Sequence, residues 1–188
     1  MKRIFIIHRW GGTPNSDWYQ WVLNELQIKG YQVFIPIMPE TDKPDINKWV
    51  SKLSEIIGTP DDDICLIGHS IGSQTIMRYL MTLSENTKIN KIVFVAGWLK
   101  LDGLAEEGEE IINIARPWLE TPINFDRVKN ICPKIQVLLS SNEPFGYVEE
   151  NKKIFEEKLN AKVTILKNKG HFTEDDSVKE LSEILKFF

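Results

Sequence analysis

Residues 68–72 read Gly68-His69-Ser70-Ile71-Gly72. This G-x-S-x-G run follows the apolar segment Ile64-Cys65-Leu66-Ile67 and precedes the helical pattern Gln74-Thr75-Ile76-Met77. The pattern is that of a nucleophile elbow, where a strand enters a helix so abruptly that the backbone of the middle residue is strained and its side chain is lifted clear. Gly68 and Gly72 lack Cβ atoms, so neighbouring segments can approach closely. Ser70 Oγ then stands above the sheet edge, beside a helix N-terminus whose N–H groups and dipole favour negative charge. The Ile71 N–H is placed to donate to an oxyanion. A dinucleotide fingerprint fits less well, because G-x-G-x-x-G is absent after every strand.

A Ser hydroxyl is a weak nucleophile and needs an adjacent base. The chain has only three His. His69 adjoins Ser70 within the turn, so its side chain is expected to point elsewhere. His8 ends the first strand. In a nucleophile-elbow hydrolase the chain order is Ser, acid, His, and only His171, in the loop Asn168-Lys169-Gly170-His171-Phe172, follows Ser70. The acid is expected after the preceding strand, in Ser140-Ser141-Asn142-Glu143-Pro144-Phe145. Glu143 is the carboxylate of that strand end, suited to orient an imidazole and stabilise its charged form. Asp102, after the fourth strand, is the main rival, and Glu149 a weaker one. The second oxyanion donor is expected from the loop after the first strand, His8-Arg9-Trp10-Gly11-Gly12, with the Trp10 or the Arg9 N–H as candidate. Trp98 at the fourth strand's end, Phe145, and Trp118 in the segment that can fold over the site are candidate aromatic walls, favouring an apolar acyl or alcohol group.

These residues need elements to hold them. Dense apolar runs at 4–7, 31–35, 63–67, 91–96, 134–139 and 162–166 read as buried strands. Between them lie helical patterns: one after Ser16 or Asp17 carrying Trp18, Trp21, Val22 and Leu26, then 45–57, 70–83, 148–159 and a closing helix over 175–187. Trp18, Trp21 and Trp49 fall on core faces. Residues 97–131 read as an irregular segment with short helical pieces, a candidate partial lid. Its acidic patch at 106–110 reads as a solvated helix face. Strands alternating with helices imply parallel pairing through right-handed crossovers. The expected fold is a three-layer α/β sandwich with a six-stranded parallel sheet in the order 2-1-3-4-5-6, forming one domain over residues 1–188.

The 188 residues leave no room for a large cap domain. Lys plus Arg number 23 and Asp plus Glu 27, giving a net charge of −4, without the basic stripe of a nucleic-acid binder. No apolar run approaches a membrane span. Two Cys, Cys65 and Cys132, make no disulfide framework and no metal spacing, and suggest reduced, packed thiols in a cytoplasmic protein. No metal or organic cofactor is required.

The chain resembles the small serine hydrolases typified by retinoblastoma-binding protein 9 and the bacterial YdeN proteins. The resemblance runs along essentially the whole sequence. It includes Ile6-Ile7-His8, Trp18-Tyr19-Gln20-Trp21, Ile37-Met38-Pro39, the elbow, Pro122-Ile123-Asn124-Phe125, the Ser140-to-Phe145 loop and Gly170-His171-Phe172. It implies a capless α/β-hydrolase core, hydrolysis of small carboxylic esters or amides, Ser70 as nucleophile and His171 as base. Two positions depart from the family pattern. Glu143 stands where Asp is usual, and Arg9 stands where His-Gly is common, putting a cation at the site mouth. The competing expectation is a catalytically weak binding module on the same fold, with a protein partner docked on residues 148–159 or the acidic patch.

Overall fold

Alternate residues of the strands face opposite sides of one sheet, and each side is covered by helices. A computed structural model describes residues 2–188, the side chain of residue 105 excepted. Its strands are β1 (Arg3–Ile7), β2 (Gln32–Phe34), β3 (Ile64–His69), β4 (Lys91–Val95), β5 (Ile135–Ser140) and β6 (Lys162–Leu166). All pair in parallel in the order β2-β1-β3-β4-β5-β6. The expected sheet is therefore the observed one.

The helices are α1 (Tyr19–Ile28), α2 (Ile46–Ile57), α3 (Ile71–Thr82), α4 (Glu109–Glu120), α5 (Phe125–Ile131) and α6 (Val148–Leu159). On one face Phe5, Leu66, Phe94 and Val137 meet Trp49 and Leu53 of α2, Ile76 of α3 and Phe155 of α6. On the other, Ile4, Ile67, Val93 and Leu138 meet Trp18, Val22 and Leu26 of the α1 segment, with Val178, Leu181 and Ile184 from the C-terminal stretch. Asp45 caps α2 by accepting from the Lys48 N–H at 3.0 Å, an interaction worth about 1 kcal/mol.

Three expectations change. Neither Ser16 nor Asp17 caps α1, whose N-cap is Trp18 with no side-chain bond. Asp17 instead adopts a left-handed backbone that turns its carboxylate inward to Arg9 Nε at 2.8 Å. The closing helix over 175–187 does not form. Positive φ at Phe172 and Ser177 keeps the chain in turns until a short 3-10 helix at Ser182–Phe187, and Asp176 is drawn into bonds with Thr173 and His171. The segment at 97–131 is more helical than read. It holds α4, α5 and a 3-10 turn at Leu104–Glu106.

Candidate active site

The elbow stands at the C-terminal end of β3. Ser70 has φ 53° and ψ −118°, a left-side conformation that a non-glycine residue holds only under constraint. The constraints are visible. The Ser70 N–H donates to the Val95 carbonyl of β4 (2.9 Å), and the Ser73 N–H donates to the Ser70 carbonyl (2.9 Å). The Ser73 hydroxyl closes the turn onto the Gly68 carbonyl at 2.9 Å. A Cβ on Gly68 would sit 2.7 Å from the Ser73 N, and one on Gly72 would run into the Ile7 carbonyl. Both glycines are needed for space.

His171 lines the same cavity of about 370 Å³ as Ser70. Its Nδ1 lies 2.7 Å from Glu143 Oε1. A carboxylate only accepts, so Nδ1 carries the proton, and in the neutral ring the lone pair is on Nε2. Glu143 Oε1 also accepts the Phe145 N–H at 3.3 Å, which fixes the carboxylate in its turn. Asp102 has no such contact. Its carboxylate accepts its neighbour's Gly103 N–H at 2.9 Å, while its own N–H donates to the Phe145 carbonyl. Glu149 is exposed and faces Lys152.

The loop carrying His171 is secured by Asp176, whose Oδ2 accepts the His171 N–H (2.8 Å), the Thr173 N–H (3.1 Å) and the Thr173 hydroxyl (2.7 Å). Burial works against the Asp176 carboxylate, but the Thr173 and His171 hydrogen bonds outweigh it and hold its pKa below the ordinary value. Gly170 has φ +53°, and a Cβ there would collide with the Asp176 carboxylate.

The β1 loop enters from the other side. The Arg9 N–H donates to the Tyr19 hydroxyl at 3.1 Å, so it is already engaged. The Arg9 carbonyl lies 2.8 Å from His8 Nδ1 and accepts the Gly12 N–H at 3.1 Å. His8 Nε2 accepts the Met38 N–H, so His8 Nδ1 is the protonated nitrogen. In a trans peptide C=O and N–H point in opposite directions. Pinning the Arg9 carbonyl therefore aims the Trp10 N–H the other way, and no acceptor for it lies among the described residues. Of the two N–H groups expected from this loop, Trp10 is the one left available. Burial lowers the His8 pKa, so the ring is neutral.

Of the expected aromatic walls, Trp98 and Phe145 line the cavity, as does the Trp10 ring, with Leu101, Leu104 and Ile111 from the segment over it. Trp118 does not. It is 1% exposed, packs edge-on against Trp49, and donates from Nε1 to the Pro44 carbonyl at 3.0 Å. It belongs to the core because helical spacing in α4 turns it inward. Arg9 lines the cavity but brings no free cation, because its guanidinium is paired with the Asp17 carboxylate, whose side chain is fully buried. Glu107 of the acidic patch reaches the cavity edge, and Glu110 pairs on the surface with Lys43. Tyr19, the Asp17 carboxylate and His69 form a buried polar set that no motif in the sequence marks. The one available signal was a His at the end of a strand buried on both faces.

The serine hydrolase family model matches residues 4–188. The chain belongs to the serine hydrolase family. It is 25% identical over 185 residues to the putative hydrolase YdeN of Bacillus subtilis, covering 96% of this chain and 90% of that protein. It is 26% identical to the serine hydrolase RBBP9 of Rattus norvegicus, covering 94% and 88%. The crystal structure of the ydeN gene product superimposes with a TM-score of 0.89 at 21% identity, over 100% of this chain and 96% of that one. Est1E of Butyrivibrio proteoclasticus, solved with ferulic acid, shares the fold at a TM-score of 0.72 and 16% identity, over 99% and 89%. As a member of this family the chain is a hydrolase on an α/β-hydrolase fold. Among the described residues, no helix is long and apolar enough to cross a membrane.

Proposed function

We propose that this serine hydrolase cleaves small carboxylic esters, with amides as slower substrates, through Ser70, His171 and Glu143. The observation that carries the reading is the 2.7 Å contact between His171 Nδ1 and Glu143. It leaves a basic Nε2 on an imidazole that lines the same cavity as the strained Ser70.

Ser70 Oγ attacks the substrate carbonyl carbon as His171 Nε2 takes its proton. The Glu143 carboxylate stabilises the imidazolium and keeps the ring in its tautomer. The Ile71 and Trp10 N–H groups receive the oxyanion of the tetrahedral intermediate. Collapse expels the alkoxide, which takes the proton from His171. Water, deprotonated by the same nitrogen, then releases the acid from Ser70. In the resting state Ser70 Oγ accepts from Trp98 Nε1 at 3.2 Å and is not bonded to His171. A rotation of the Ser70 side chain brings Oγ to Nε2 as substrate enters, since such bonds often tighten only with substrate bound.

The apolar walls, together with the pairing of Arg9 by Asp17, favour an uncharged apolar acyl or alcohol group as the small-molecule substrate. A fluorophosphonate probe tests the assignment. Labelling at Ser70, its loss in Ser70→Ala and hydrolysis of 4-nitrophenyl butyrate are expected. A native protein that neither labels nor hydrolyses would sink it.

A further inference from the structure

His69, the elbow residue next to the nucleophile, is completely buried, and both of its ring nitrogens are bonded. Nε2 lies 2.8 Å from the main-chain carbonyl of His171, and Nδ1 lies 2.7 Å from the Tyr19 hydroxyl. A carbonyl cannot donate, so Nε2 carries the proton and Nδ1 accepts from the Tyr19 O–H. The Tyr19 oxygen then has a lone pair left, and the Arg9 N–H donates to it at 3.1 Å. The chain of donors runs one way, from the Arg9 N–H to the Tyr19 O–H, to His69, to the His171 carbonyl. Every polar atom in it is satisfied, as buried polar groups require.

The path links three separate parts of the site. Arg9 begins the loop that presents the Trp10 N–H, His69 sits in the elbow beside Ser70, and His171 is the proposed base. The His69 ring also lies against the His171 ring, with centroids 5.5 Å apart and planes at 33°, and against Trp18 at 5.6 Å. Burial pushes the His69 pKa well below its ordinary value. Burial likewise pushes Tyr19 well above its own. Both groups therefore keep the neutral forms that the bonding pattern demands. Asp17, 3.8 Å from Nδ1, is occupied by the Arg9 guanidinium.

Resting on the serine hydrolase reading above, we infer that Tyr19 and His69 are positioning residues that hold the oxyanion loop and the base loop in register with the nucleophile. Neither touches the reacting atoms. They set the distance between a donor that acts on the oxyanion and a base that acts on Ser70, and small misplacements of either group slow catalysis strongly.

Tyr19→Phe in the full chain tests this, because it removes one oxygen and leaves the ring in the core. An oxyanion donor acts in the transition state and not on bound substrate, so kcat on 4-nitrophenyl butyrate is expected to fall about ten-fold with KM within two-fold. The 15N spectrum of the His69 ring in the wild type is expected to show a protonated Nε2 and a bare Nδ1. The Nδ1 resonance is expected to move when Tyr19 loses its hydroxyl, while His171 keeps its Nδ1 proton. His69→Asn is the second variant. Its amide oxygen replaces Nδ1 as acceptor but does not reach the His171 carbonyl, so kcat is again expected to fall. A His69 ring protonated on Nδ1 would overturn the inference without reference to activity. So would a Tyr19→Phe enzyme with kcat within two-fold of a wild type that labels with fluorophosphonate. A wild type that fails to label overturns the serine hydrolase reading, and this inference with it.

Discussion

The indole N–H of Trp98 points at Ser70 Oγ from 3.2 Å. Trp98 is 5% exposed, and its own carbonyl is held by the Gln74 side chain of α3, so the donor is fixed relative to the elbow. A donor on Oγ weakens it as a nucleophile and stabilises it as a leaving group. Trp98→Phe is expected to leave fluorophosphonate labelling of Ser70 as fast or faster and to slow release of the acyl group. With a deacylation-limited ester, kcat should drop several-fold, by about 1 kcal/mol, the worth of one neutral hydrogen bond. Pre-steady-state bursts of 4-nitrophenol measure both steps, and a slowed burst with unchanged kcat would contradict the assignment.

Glu143 is one methylene longer than an Asp, and its carboxylate reaches His171 Nδ1 at 2.7 Å. Glu143→Gln keeps the shape but presents an amide to the ring. Ester turnover is expected to fall by about 10³ to 10⁴, as when a triad acid becomes an amide elsewhere. Glu143→Asp withdraws the carboxylate by one carbon and is expected to retain more activity than Glu143→Gln. Equal rates for wild type and Glu143→Gln would turn attention to Asp102.

Both His8 and His69 have pKa values lowered from 6.5, in each case first by burial. In the unfolded chain they bind protons as the pH falls through 6.5, while in the folded chain they remain neutral. Unfolding then takes up protons, so stability declines below pH 6.5 and continues to decline until the folded values are reached. With both groups contributing, the slope is bounded by two protons, about 2.7 kcal/mol per pH unit, and lies below that limit wherever a folded ring also takes up its proton. Urea unfolding between pH 7.5 and 5 measures it. A flat profile would mean that these rings are accessible to protons in the folded state.

Gly72 and Gly103 separate two reasons for a glycine. At Gly72 the obstacle is the Ile7 carbonyl, a backbone atom that cannot swing away. At Gly103 φ is +71° with nothing within 4 Å. Gly72→Ala is expected to destabilise the fold by about 3 kcal/mol or more, in the range of overpacked core sites. Gly103→Ala should cost about 1 kcal/mol of backbone strain. Similar values for the two in denaturant titrations would show that the elbow can open to admit a methyl group.

The parts of the site that are local in sequence were the legible ones. The elbow announces itself because strand, Gly, Ser, Gly and helix are consecutive, and the scarcity of His singled out His171. The strands were readable to within a residue or two because their apolar runs are short and bounded by polar turns; those of β3, β4 and β5 are buried almost throughout, while the edge strands β2 and β6 are not. Legibility failed where partners are distant. Tyr19 and His69 are 50 residues apart, and neither type announces a buried bond. Trp118 read as a pocket wall because Pro117 within α4 masks the helical spacing that turns it into the core. The C-terminal stretch has the apolar spacing of a helix, but Asp176 and the turns beside it serve His171.

Two of the three imidazoles, His8 and His69, have no exposed surface, while His171 is 9% exposed and borders the cavity. Solvent-borne electrophiles that seek imidazole therefore meet one target on this molecule. The protein carries a natural single-site handle: a histidine-acylating reagent should report on occupancy of the cavity directly, with a bound substrate analogue shielding the only ring it can reach.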